Sequence, residues 1–138
     1  MAIKRKVSTY KQIRKVFQEV YQDDNCCGPL AIALTCNVSA GKSRAVFESL
    51  GRVHRKGCQE HHLTAAAEKL GHKLVHISTD AKTIGTFAKE YPEGNYMVLQ
   101  VRKTDAHVTA VRNGNIDDWV DDRPGKRITK VWRVEEIS

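Results

Sequence analysis

The chain reads as an α+β protein, with helices in its N-terminal half packed on an antiparallel β-sheet in its C-terminal half. Three observations predict this. Apolar residues in the first half recur at helical spacing, as at Ile13, Val16, Phe17 and Val20. After Gly71 the pattern changes to short apolar runs of strand length, above all Tyr96-Met97-Val98-Leu99 with Val101. Between two later runs stands Asn113-Gly114, a dipeptide suited to a type I′ hairpin turn because both of its central positions need positive φ. Helices followed by strands, without strict alternation, mark α+β.

The elements follow in order. An amphipathic helix is expected over residues 10–20, with basic residues between its apolar positions. Gly28-Pro29 opens a second helix reaching about Thr35, since proline in a first turn gives up only an N–H that has no helical partner anyway. Residues 39–41 break the chain, and Ser43 is expected to cap a third helix that runs through Leu50 and ends at Gly51. A fourth, starting at Gln59 or His61 and ending at Leu70, stops at Gly71. Residues 72–77 read as a strand and 82–91 as a short helix before Pro92. Strands are then expected over 95–102, 107–112, 115–120 and 128–134, the last closing the sheet.

At 138 residues and 41% hydrophobic content the chain can bury one sizeable core and is too short for two ordinary domains. Residues 1–138 therefore read as one domain, with 1–9 as a flexible basic tail. No run approaches the roughly eighteen apolar residues that cross a bilayer, and Met1 to Lys6 is not followed by an apolar signal core. The expectation is a cytoplasmic protein, of the producing or host cell, without a membrane partner. Its four cysteines are then reduced, which leaves them for catalysis or metal binding. The net charge of +7 suits an acidic partner surface. Nucleic acid is admitted by that charge but not favoured, because no aromatic residues interleave the basic runs as a stacking platform requires.

Cys27 stands where a polar loop meets an apolar helix, at or beside the N-cap. The helix dipole and the free N–H groups there favour thiolate over thiol. Such a nucleophile needs an imidazole base, and the imidazole needs an orienting group. His54, His61, His62, His72 and His76 lie in or beside the fourth helix and first strand, whereas His107 opens the first arm of the hairpin. With Asn113 and Gly114 as turn residues, Arg112 pairs with Asn115, Val111 with Ile116, Ala110 with Asp117 and Thr109 with Asp118. Partners share a face, so Asp118 lies on the face of His107, diagonally across from it, and Asp117 points the other way. A one-residue slip exchanges the two aspartates, with Asn115 a third candidate. Gln22, just before Cys27, offers a side-chain amide for an oxyanion, and Asn25 is an alternative.

Glutamine, then Cys27-Gly28-Pro29 at a helix start, then a histidine heading a strand, Asn-Gly and an aspartate: this order resembles papain-like cysteine peptidases. It is most similar to compact bacterial and phage versions of the bacteriocin-processing type, which carry Asp-Cys-Gly-Pro. The likeness spans Gln22 to about Trp119. It implies a papain-like fold and a thiol hydrolase that cleaves an amide or isopeptide bond of a protein or peptide substrate. It also implies Cys27 as nucleophile, His107 as base and acid, Asp118 as orienter and Gln22 in the oxyanion hole. Two departures stand out: Cys26 occupies the usual aspartate position, and the interval from Gln22 to Cys27 is one residue shorter than usual.

Other readings compete. Cys36 and Cys58 suit core or incidental roles, and Asp117, Asp121 and Asp122 read as solvated. His54, Cys58, His61 and His62, with Cys26 and Cys27, could supply zinc ligands, yet their spacing fits no standard zinc module, so no metal or cofactor is expected. Gly41-Lys42-Ser43 has the ending of a phosphate loop, but Cys36 stands where that motif needs its first glycine and no strand precedes it. The alternative function is a non-catalytic basic binding protein on the same fold, such as a phage or bacterial effector.

Overall fold

A computed structural model of the chain describes residues 10–22, 27–52, 60–101, 106–117 and 127–137. Five α-helices and a five-stranded antiparallel sheet make up these segments: α1 (Tyr10–Lys15), α2 (Cys27–Thr35), α3 (Ala40–Ser49), α4 (Glu60–Lys69), β1 (His72–Ile77), α5 (Ile84–Glu90), β2 (Asn95–Val101), β3 (Ala106–Arg112), β4 (Asn115–Asp117) and β5 (Lys130–Glu136). The strand order is β1-β5-β2-β3-β4. The α+β class and most element positions match the sequence reading. The expected tail at 1–9 and the outer part of the last hairpin arm, 118–120, lie outside the described residues.

Alternation along the strands divides the apolar side chains between two faces. Met97, Val108, Ala110, Trp132 and Val134 pack with residues of α1 to α4 in one cluster. Tyr96, Val98, Val111 and Val131 point the other way, where Ile84 and Phe87 of α5 cover them. Phe87, Tyr91 and Tyr96 meet there at centroid distances of 4.6 to 5.5 Å, in the offset and edge-on arrangements that aromatic quadrupoles favour. Helix α2 is apolar nearly all round, and from Leu30 to Thr35 every residue is buried, as such a helix must be.

Four details differ from expectation. Residues Val16–Val20 form a π-helical turn after α1, closed by Tyr21 N–H donating to the Val16 carbonyl at 3.2 Å. The extra residue in that turn carries Tyr21 onto the apolar cluster and leaves Val20 66% exposed. Helix α3 is capped by Ser39, whose hydroxyl accepts from Lys42 N–H, and not by Ser43, which is buried inside the first turn. The last strand does not close the sheet but lies in its middle, between β1 and β2. Adjacent Val131 and Trp132 are both buried, on opposite faces, a pattern only an interior strand sustains. Finally, Asp117 is not solvated: its carboxylate accepts from Arg112 Nε at 2.7 Å, with both side chains about nine-tenths buried at 13% and 14% exposure.

The hairpin has the expected register, Arg112 with Asn115, Val111 with Ile116 and Ala110 with Asp117. Asn113 and Gly114 adopt φ of 49° and 79°, and Asn113 also ties the turn to Gly94 through its N–H and its side-chain oxygen. A Cβ at Gly114 would make only ordinary van der Waals contacts, 3.5 Å from the Ala88 carbonyl oxygen and 3.6 Å from Pro92 Cα, but Gly114→Ala forces an L-residue into left-handed backbone. It is expected to destabilise the protein by about 1 kcal/mol, with an unchanged denaturant slope in urea unfolding.

Candidate functional site

Helix α2 begins at Cys27, as read from Gly28-Pro29. Its far end is set beside the start of β2, where Asn95 Nδ2 donates to the Thr35 carbonyl at 3.4 Å. Because α2 packs along β3 against Val108 and Ala110, its N-terminus points toward the opposite end of the sheet, where β2 finishes and β3 begins. Gln100 and His107 lie at that end as direct cross-strand partners. The start of α2 and His107 are thus brought to one end of the sheet.

They are not brought to one face. Val108 and Ala110 look toward α2, so alternation turns His107, Thr109 and Val111 to the α5 side. His107 is buried, at 4% exposure. Among the described residues the pairing of β3 with β4 runs from Arg112 with Asn115 to Ala110 with Asp117. Asp118, the side chain of Cys27, and Asp23 to Cys26 lie outside the described residues, as do Cys58, His54, Asp121 and Asp122. Asp117 pairs with Ala110, which places it on the α2 side with Arg112, away from His107. Gln22 is exposed, with a left-handed φ of 52°. Such a side chain is not preorganised as an oxyanion donor.

The remaining candidates separate by environment. Cys36 is buried in the main cluster, and burial pushes its thiol up to about 11, partly offset by a hydrogen bond with Thr35. Loss of solvation outweighs that single bond, so Cys36 is an inert core thiol. His61 and His62 stack at 4.2 Å between ring centroids. The pKa of His62 is lowered by partial burial and then by the neighbouring imidazole. His72 Nδ1 lies 2.9 Å from the Leu70 carbonyl, and His76 is exposed on β1. Among the described residues, no three His, Cys, Asp or Glu side chains are grouped to hold a metal ion.

One residue of this region escaped the sequence reading. Gln100 is 4% exposed, directly opposite His107, and its Nε2 has no hydrogen-bond partner among the described residues. Nothing in the run from Tyr96 to Val101 distinguishes that glutamine from one on a solvated face. Only the pairing with β3 reveals it as a buried amide.

Comparisons with protein-family models, with curated proteins and with solved structures find no match to this chain. Among the described residues, no helix is long and apolar enough to cross a membrane.

Three outcomes follow from these environments. In the folded protein at pH 7.5, Cys36 is expected to resist iodoacetamide until denaturant is added, as mass spectrometry of the labelled peptides would read. Its raised pKa means the folded state holds a proton that the unfolded thiol loses above about pH 9, so the Cys36 contribution to stability falls as pH rises from there toward 11. Removing the buried Nε2 donor that lacks a partner, in Gln100→Leu, is expected to raise stability by about 1 kcal/mol in urea titration.

Proposed function

We propose that the chain is a papain-like thiol hydrolase with Cys27 as nucleophile, His107 as general base and acid and Asp118 as orienting carboxylate, the exposed Gln22 being left out of the oxyanion site. The observation that carries the reading is the direction of α2, which presents its Cys27 end to the end of the sheet where His107 stands. The hairpin register supports the choice of Asp118 over Asp117, since Asp117 is already committed to Arg112. In this chemistry the Cys27 thiolate attacks an amide or isopeptide carbonyl, and the oxyanion collapses to expel the amine, which takes its proton from His107. Water, deprotonated by the same imidazole, then releases the acyl group from sulfur. Protein or peptide is the substrate class, and no cofactor or metal is required.

A second reading draws on the burial of His107 on the α5 face. There the histidine is structural, and the protein is a non-catalytic binder whose net charge of +7 engages an acidic protein surface or nucleic acid.

Thiol labelling separates the two. The hydrolase reading expects iodoacetamide to alkylate Cys27 at pH 6 to 7 at least about tenfold faster than an ordinary thiol, and His107→Ala to abolish that excess. Equal, slow labelling of Cys26, Cys27 and Cys58 would overturn it. Salt-sensitive retention on a nucleic-acid or polyanion column that persists in Cys27→Ala would favour the binder.

A further inference from the structure

We propose that the first turn of α3 is a clamp that fixes the backbone on both sides of the Cys27 loop, with Ser43 as its main positioning residue. The clamp's relevance to catalysis rests on the thiol-hydrolase reading, but its geometry does not. Ser43 is wholly buried, and its hydroxyl donates to the Pro29 carbonyl at 2.7 Å. Pro29 lies in the first turn of α2, two residues after Cys27. As a proline it has no N–H by which a neighbour could hold it, so its carbonyl is the only polar backbone handle at that position.

On the other side of the loop, the chain enters through Tyr21. A Cβ at Gly41 would fall 2.7 Å from the Tyr21 hydroxyl oxygen, so the tyrosine occupies the space a side chain would need. The Arg44 guanidinium lies 4.5 Å from the centre of the same ring, a cation–π contact that also covers the ring face. Gly41, Ser43 and Arg44 thus grip residues 21 and 29 from a single helical turn, and Cys27 lies on the stretch between. Gly41-Lys42-Ser43, which lacks the strand of a phosphate loop, finds its use here. Glycine leaves room for Tyr21, and serine reaches Pro29, while Lys42 is exposed.

A thiol at a helix start is activated by the direction of the N–H groups around it. Holding the segment at both ends keeps that direction fixed, and Ser43 acts through Pro29 without touching the sulfur.

Hydrogen exchange on the full chain, read by peptide mass spectrometry, tests the clamp in Ser43→Ala and, from the other side, in Gly41→Ala. Both variants are expected to exchange about fivefold faster in peptides spanning 21–30, the effect of one lost hydrogen bond or its equivalent, with β2 and β3 unchanged. Exchange unchanged in both variants, or raised equally across the sheet, would overturn the proposal. The thiol supplies a second readout. Cys27 alkylation at pH 7 should fall about two- to fivefold in both variants, with the pH–rate profile displaced upward, as expected when a helix terminus is misaligned. If the wild-type Cys27 is fast and both variants keep its profile, the positioning role is overturned. If the wild-type Cys27 reacts as an ordinary thiol, the hydrolase reading fails, and exchange alone decides whether the clamp exists.

Discussion

Helix α2 carries almost no polar side chain, and that obliges the rest of the molecule to surround it. Its one hydroxyl, on Thr35, is satisfied inside the helix by the Ala31 carbonyl at 2.7 Å, so every other side chain is free to bury apolar surface. The sheet supplies one wall through Val108 and Ala110. Residues of α1, α3 and α4 complete the enclosure. A helix enclosed in this way has little freedom to turn or slide, because close-packed neighbours resist even small displacements. Whatever Cys27 does is therefore set by a helix whose position is fixed by apolar packing and whose first turn is held by Ser43.

That enclosure also explains the asymmetry of the sheet. The α2 side is covered by four helices, and the opposite side by α5 and its aromatic cluster. Strands buried on both faces can carry consecutive apolar residues, as β2 and β5 do. A polar residue in such a strand is conspicuous, and Gln100, His107 and Thr109 are all buried on the α5 side near one end of β2 and β3. Buried polar groups cost free energy unless they are paired. Such residues therefore mark either a hydrogen-bonded network or a site, and His107 lies at the same end of the sheet as the start of α2.

Electrostatics sorts the thiols and carboxylates by the same logic. Cys36 sits inside the apolar cluster and stays protonated, whereas a thiol at a helix start has the dipole in its favour. Asp117 is already paired with Arg112 on the α2 face. Strand alternation, and not any difference in carboxyl chemistry, thus commits Asp117 to Arg112 on the face away from His107.

The sequence by itself determined the local features: where α2 starts, the turn at Asn113-Gly114, the glycine stops at Gly51 and Gly71, and the register of the hairpin. These depend on backbone preferences of a few neighbouring residues, which a linear reading can weigh. Only the tertiary structure decided that β5 enters the middle of the sheet, that Ser39 and not Ser43 caps α3, that Val20 faces solvent, and that His107 turns away from α2. The reason is common to all four. Each depends on which distant segment covers a given surface, and identical side-chain spacing is compatible with more than one partner. Ser43 shows this most plainly. Its sequence context allowed a cap, but the nearby Pro29 carbonyl, supplied by a helix fourteen residues earlier, gave the hydroxyl a buried acceptor and left the cap to Ser39.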